Sequence, residues 1–348
     1  MSTQYSSSLV VRVSEGKSPK LVREPIPIPS PDPGQVLVKV SHVAQNPTDV
    51  QSFDSNTFGD GTVLGCDFVG EVVQIGAGVT RLTKGDIVAA LIWGGETKGL
   101  GAYSEYCLAD QRIAFKVPRT LSREDASTVP LAAATAWLAL FSPDCLSLDR
   151  AKAQGTSVLV WGGSTSVGLY SIQIASLYGF DVITTCSPHN AELVRSYGAK
   201  YVFDYKDEKV AEEIRKAAPK IYHVFDTVGD RGSSLTASQV FGGHQSNICT
   251  VRPGKANTED VSEKVHITDV LVWTAFLKEH RYGKFHWPAS EKDHELASEL
   301  FEKLGPWLEE GTIKPNVTKV LPGLDAVSDG FQRYRDGKIS AYKIVYQI

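Results

Sequence analysis

The chain has 348 residues, 42% of them hydrophobic, which is enough to bury a large core and favours two domains over one. Its formal net charge of −4 provides no field that would recruit nucleic acid or an anionic membrane. The opening MSTQYSSSLVVRV lacks the basic and apolar blocks of a signal peptide, and the longest apolar run, VPLAAATAWLALF, is too short to span a bilayer. A soluble, cytoplasmic protein with no nucleic-acid or membrane partner is expected. The oligomeric state stays open, with a monomer as the working expectation.

In chain order, the stretch from Ser8 to about Asp125 alternates short β-rich runs with Pro and Gly punctuation: LVVRV, QVLVKVSHVA, GEVVQIG, GDIVAAL and AYSEYCLA. A helix capped near Ser122 is predicted over SREDASTVPLAAATAWLALF. From there strands alternate with helices. VLVW, DVITTC, YVFDY, YHVFDTV and NICTV are short apolar strands, and NAELVRSYG and KDEKVAEEIRKA are helical, which is the grammar of a doubly wound parallel sheet. A polar segment, an aromatic-rich stretch LVWTAFLKEHRYGKFHWP, an amphipathic helix over HELASELFEKLGPWLEEG and a last strand YKIVYQI complete the chain. There are no internal repeats or low-complexity tracts.

The strand Val158–Trp161 runs into two adjacent glycines, and Val167, Tyr170, Ile174 and Leu177 then recur at helical spacing. Gly162 and Gly163 therefore sit in a strand-to-helix turn, where a missing Cβ lets the backbone approach a ligand and the helix N-terminus attracts an anion. A diphosphate suits such a turn, with Ser164, Thr165, Ser166 and Val167 supplying backbone and hydroxyl contacts. On this reasoning a branched side chain at Gly163 would occupy the phosphate's space. The next strand ends in Ser187, Pro188, His189 and Asn190 with no acid to bind a ribose 2′-hydroxyl and repel a 2′-phosphate, which favours NADPH over NADH. A plainer reading stands beside it, in which Ser187 and Asn190 only cap the following helix. Tyr205, after the third strand, is placed to cover the adenine or the 2′-phosphate.

The β-rich part with QNPTD and GCDFVGEVVQIGAGVTRLTKGDIV, the nucleotide-binding sheet and the ending GKISAYKIVY together resemble the medium-chain dehydrogenase/reductase superfamily. More narrowly, GGSTSVG with CSPHN, FDY and TAFLKEHRYGKFHWPASEKD resembles the trans-acting enoyl reductases of fungal polyketide and hybrid polyketide–peptide pathways. The resemblance implies an α/β chain: a GroES-like, mostly-β catalytic domain over residues 1–125, a Rossmann NADPH-binding domain over 126–275, and a return to the catalytic domain over 276–348. In zinc alcohol dehydrogenases a cysteine stands near Asn46 and a histidine-glutamate pair stands at Cys66-Asp67, so the ligand set is incomplete and the zinc-free branch is implied.

In that branch the chemistry is hydride addition to an activated C=C bond, here an α,β-unsaturated thioester of a polyketide held on the acyl carrier of a partner synthase. The resemblance carries over Asn46, Pro47, Thr48 and Asp49 beside the nicotinamide, Thr250 and Val251 under its ribose, and Tyr342 and Lys343 where the closing strand meets the cofactor. Related reductases often continue the QNPTD motif with Trp-Lys, whereas this chain reads Val50-Gln51. No general acid is named; Gln51 and Thr135 are the candidates for hydrogen bonding to the reacting group. Thr128, Val129, Pro130, Leu131, Ala132, Ala133, Ala134 and Thr135, with Trp273, Thr274, Ala275, Phe276 and Leu277, are expected to line a substrate channel between the domains. Two other functions stay open, a zinc-free quinone or small-enone reductase and a nucleotide-binding partner or cyclase that has lost turnover.

Overall fold

Residues 4–282 and 285–348 are described by a computed structural model. Their contacts form two compact units: the chain through Leu131 together with Ser298–Ile348, and Ala132–Ala297. The sequence reading drew these boundaries after 125 and after 275. Residues 276–297 group with the second unit because Asp293 accepts hydrogen bonds from the Ser142 and Thr274 hydroxyls and His294 Nδ1 lies 2.7 Å from the carbonyl of Ala275.

The first unit opens with β1 (Tyr5–Arg12), β2 (Lys20–Pro27), β3 (Gln35–Ala44), α1 (Pro47–Asp54), β4 (Thr62–Val63), β5 (Asp67–Ile75), β6 (Ile87–Leu91), β7 (Tyr106–Asp110) and β8 (Ala114–Lys116). Helix α2 (Arg123–Ser127) is capped by the Ser122 hydroxyl, which accepts from the Asp125 N–H at 3.1 Å. The helix predicted over this stretch is two helices. Pro130, whose ring disfavours a helical residue before it, starts α3 (Pro130–Phe141) afresh.

The second unit carries β9 (Ser157–Trp161), α4 (Ser166–Leu177), β10 (Asp181–Cys186), α5 (Ala191–Ser196), β11 (Tyr201–Asp204), α6 (Val210–Ala217), β12 (Ile221–Asp226), α7 (Ser233–Ser238), β13 (Ser246–Thr250) and β14 (Val265–Asp269). The six strands form a sheet in the order β11-β10-β9-β12-β13-β14, parallel throughout. The chain order therefore reverses between β9 and β12, the switch point where such sheets bind ligands beyond the strands' carboxyl ends. The aromatic-rich stretch folds as a single 3₁₀ turn, Val272–Ala275, and a hairpin of β15 (His280–Tyr282) and β16 (Phe285–Trp287). Two residues of its GKFHWP portion, Gly283 and Lys284, lie outside the described residues.

Helix α8 (Glu291–Glu309) leads back to the first unit, followed by β17 (Thr318–Pro322), α9 (Val327–Arg335) and β18 (Lys343–Gln347). The last strand enters the seven-stranded sheet of the first unit, ordered β17-β18-β3-β5-β6-β8 with β7 on β3. Register then decides what meets at one end of this sheet. Ala44 of β3 pairs with Asp67 of β5 on one side and with Val345 of β18 on the other. The loop after β3, the start of β5 and the start of β18 therefore converge.

Candidate functional site

The strand-to-helix turn of the second unit has the form expected from its sequence. The backbone of Gly162 lies at φ +87°, and Thr165 caps α4 by accepting from the Gly168 N–H at 2.9 Å. The first N–H groups of this 12-residue helix have no intrahelical acceptor, and Ser164 to Val167 are half-buried. The turn is tied down by threonines that the sequence reading passed over. Thr185 takes the Gly162 N–H on its hydroxyl at 3.1 Å and the Gly163 N–H on its carbonyl at 2.8 Å. The Thr227 hydroxyl lies 2.8 Å from the Trp161 carbonyl, 2.9 Å from that of Gly162 and 2.9 Å from the Thr165 hydroxyl.

At Gly163 the chain's own packing leaves no room for a side chain. A Cβ there would lie 2.0 Å from the Thr184 hydroxyl, and one at Gly168 would lie 2.3 Å from the Gly162 carbonyl. The chain's own packing therefore already excludes a side chain at both positions, at Gly163 against Thr184 of β10 and at Gly168 against the backbone of the turn itself. A diphosphate still suits the turn, because the N-terminus of α4 opens there and Ser164 to Val167 are half-buried.

Beyond the end of β10, Ser187 is half-buried, Pro188 and His189 are exposed and Asn190 is buried. Neither Ser187 nor Asn190 makes a side-chain capping bond to the helical turn that follows. Tyr205 is 43% exposed, with the Lys206 ammonium 5.8 Å from its ring centre. Thr250 ends β13 fully buried, its hydroxyl accepting from the Arg252 N–H, and Val251 donates its N–H to Asp226. Asp226 accepts from the Val228 and Gly229 N–H groups and from the Ser233 and Ser234 hydroxyls. That anchor of the β12 loop was also missed; its signal was FDTV, an acid ending an apolar strand.

In the first unit, QNPTD opens α1. Asn46 occupies the N-cap and Pro47 the first helical position, which needs no N–H. The Asn46 N–H donates to Asp49 Oδ2 at 2.8 Å, and its side-chain amide donates to Asp67 Oδ2 at 2.9 Å and to the Ala44 carbonyl at 3.3 Å. Asp67 also accepts the Lys343 ammonium at 2.6 Å on Oδ2 and the Leu131 N–H at 2.6 Å on Oδ1. The ammonium makes a second bond to the Thr128 carbonyl at 3.2 Å. The pair is deeply buried, with side-chain exposures of 4% for Lys343 and 0% for Asp67.

Asp49, also buried, accepts from the Tyr103 hydroxyl at 3.2 Å and the Cys66 thiol at 3.3 Å. Burial therefore pushes its carboxyl up to about 6, against stabilising hydrogen bonds from Asn46, Cys66 and Tyr103. Burial and the neighbouring Asp49 push the Cys66 thiol and the Tyr103 hydroxyl well up.

Within QNPTD, then, the Asn46 and Asp49 side chains are turned inward, while Pro47 is exposed and Thr48 half-buried. Gln51 donates its amide to the Tyr334 hydroxyl at 2.9 Å. Tyr342 and Lys343 part company: the Tyr342 hydroxyl donates to the Lys338 carbonyl at the surface, whereas Lys343 turns into the core. Of the residues expected to line a channel, Thr128, Val129, Pro130, Leu131, Ala132, Ala133, Ala134, Thr135, Trp273 and Ala275 are buried. The Thr128 hydroxyl is spent on the Asp125 carbonyl and that of Thr274 on Asp293 and Leu271. Phe276 is half-buried and Leu277 is 51% exposed.

The donor set does not fit zinc. Asn46 presents an amide that donates to Asp67, Cys66 is held as a thiol by Asp49, and the Asp67 carboxylate is already paired with an ammonium. Among the described residues no group of three or more His, Cys, Asp and Glu side chains is arranged to hold a metal ion. None of the described helices is long and apolar enough to cross a membrane.

Comparison with known proteins agrees with this architecture. Residues 32–119 match the alcohol dehydrogenase GroES-like domain and residues 166–243 the zinc-binding dehydrogenase family. A trans-enoyl reductase of Gibberella fujikuroi is 32% identical over 91% of this chain and 92% of its own length. One from Alternaria alternata is 32% identical over 93% and 95% respectively. A zinc-type alcohol dehydrogenase-like protein of Schizosaccharomyces pombe reaches 32% over 97% and 99%. Among solved structures, a putative zinc-dependent alcohol dehydrogenase of Rhizobium etli shares the fold with a TM-score of 0.82 at 24% identity, over 100% of this chain and 99% of that one. The CurK enoyl reductase shares it with a TM-score of 0.75 at 21%, over 97% and 99%. With a GroES-like unit, a six-stranded parallel sheet with a glycine turn between β9 and α4, and chain-long similarity to trans-enoyl reductases, the chain belongs to the medium-chain dehydrogenase/reductase superfamily of oxidoreductases.

Proposed function

We propose that the protein is a zinc-independent, NADPH-dependent enoyl reductase that acts in trans on a polyketide carried by a partner synthase. The observation that carries this reading is the chain-long similarity to fungal trans-enoyl reductases, combined with a β9–α4 turn fit for a diphosphate. When bound, the reduced nicotinamide supplies hydride to the β-carbon of an enoyl thioester. Ser164 to Val167 hold the diphosphate through backbone and hydroxyl groups, and Ser187, His189, Asn190 and Tyr205 receive the 2′-phosphate. The absence of an acid after β10 and of capping bonds from Ser187 and Asn190 supports that assignment. Pro47 and Thr48 face the nicotinamide side, held there by the inward-turned Asn46 and Asp49.

No side chain is assigned as proton donor. Gln51 is tied to Tyr334, a neutral amide bonded to a phenol, so alignment of the acyl chain carries more of the rate than acid–base chemistry does. Steady-state kinetics with NADPH on a pantetheine-linked enoyl chain, set against a free quinone, tests the reading. Turnover of the thioester in preference to the quinone supports it. Preference for the quinone makes the protein a small-enone reductase, and NADPH binding without turnover of either makes it a nucleotide-binding partner of the synthase.

A further inference from the structure

The sequence places Lys343 among cofactor contacts, yet its ammonium is turned away from solvent and bonded to Asp67 and to the Thr128 carbonyl. The residue is 3% exposed and Asp67 0%. For the ammonium to reach a phosphate it would have to leave a buried carboxylate unpaired, which is among the costlier changes a folded protein can make. What the pair does reach is the QNPTD loop. Antiparallel pairing of β18 with β3 continues past Ala44 through the Gln45 N–H, which donates to the Ile344 carbonyl at 2.9 Å, and this brings Lys343 alongside Asn46. Asp67 Oδ2 accepts both the ammonium and the Asn46 amide, so one oxygen couples the charge to the loop.

We propose that Lys343 is a positioning residue: paired with Asp67 it fixes Asn46 and hence the start of α1, and it acts on the cofactor through that loop without touching it. This rests on the reading of residues 46–49 as a cofactor contact. Its consequence is that Asp67 and Lys343 act as a unit, although they carry opposite charges and only one of them could attract a phosphate.

The experiment measures the dissociation constant of NADPH by nicotinamide fluorescence for the full chain, with Lys343→Met, Asp67→Asn and the double variant, each checked for folding by thermal melting. Both single variants are expected to bind about tenfold more weakly, and the double variant no more weakly than the worse single, because the two losses are one loss. Asp67→Asn leaves the ammonium in place and removes only its partner. Unaltered or tighter NADPH binding by Asp67→Asn, beside weak binding by Lys343→Met, would make Lys343 a direct contact and overturn the proposal. Lowered melting temperatures with unchanged dissociation constants would reduce the pair to a structural one and overturn it equally. If Lys343→Met does not fold, Asp67→Asn decides alone, since the two models predict opposite directions for it. A parent chain that binds no NADPH would remove the functional reading of the loop first, before any variant is compared.

Discussion

Two polar clusters, one in each unit, are built on opposite principles. The turn between β9 and α4 contains no ionisable side chain; hydroxyls of Thr165, Thr185 and Thr227 tie it down, and Ser164 to Val167 stay half-buried. The cluster around Asn46 is ionic and sealed, with Asp49, Cys66, Asp67, Tyr103 and Lys343 all buried. A half-buried, uncharged turn suits a ligand that brings its own charge, because helix N–H groups supply the complement without a desolvated cation. A sealed cluster suits a support, because the Lys343 and Asp67 charges are consumed by one another and what it offers outward is the shape of a loop.

The sharpest way to break this contrast is to unpair the buried ion. Lys343→Met should cost roughly 3–5 kcal/mol by stranding the Asp67 carboxylate, read as a large fall in melting temperature; a shift of a degree or two would mean that the cluster is wetter than its burial implies. Asp49 offers a gentler probe of the same cluster. It is faced by Cys66, Asp67, Tyr103 and Tyr346, and its carboxyl sits at about 6 against an ordinary 3.8. The folded state therefore holds this proton more tightly than the unfolded chain does. The associated stability is complete below about pH 4 and is lost as pH rises through about 6. Melting temperatures of Asp49→Asn relative to the parent should improve steadily from pH 4 to 7, by up to about 3 kcal/mol in stability. A flat difference would put Asp49 back among ordinary carboxylates.

For the turn, Gly163→Ala should destabilise by roughly 1–3 kcal/mol, because its methyl meets the Thr184 hydroxyl at 2.0 Å. Adding Thr184→Ala should recover part of that loss in a thermal melt, and no recovery would move the constraint to Ile172, whose Cδ1 would lie 2.9 Å from the added methyl. The smallest effect is expected at Gln51. Losing a neutral hydrogen bond in Gln51→Ala should lower kcat on a pantetheine-linked enoyl chain by no more than about fivefold. Complete loss of turnover would move the chemistry onto α1.

Most of the second unit was legible before the structure, because a parallel βαβ sheet writes itself in contiguous signals: an apolar strand, two glycines, a helix with helical spacing. The packing at Gly163 was not legible: Thr184, two strand positions before Cys186, excludes a side chain there, and glycine spacing alone does not announce it. The helix over residues 123–141 was read as continuous because apolar spacing persists across Thr128 and Val129, and the power of Pro130 to restart it was underweighted. Residues 276–297 were sent back to the first domain, since no local signal announces that Asp293 and His294 will bond to Ser142, Thr274 and Ala275.

The sequence by itself determined the βαβ alternation and the glycine turn after β9, both properties of residue type at short spacing, and through its resemblance to the superfamily it determined the GroES-like and Rossmann architecture and the altered zinc positions at Asn46 and Cys66-Asp67. That Lys343 would bond to Asp67, 276 positions away, could be decided only by the tertiary structure. Strand register of β3 against both β5 and β18 brings those two side chains to one end of the sheet, and burial there turns two ordinary surface charges into a pair that neither can leave.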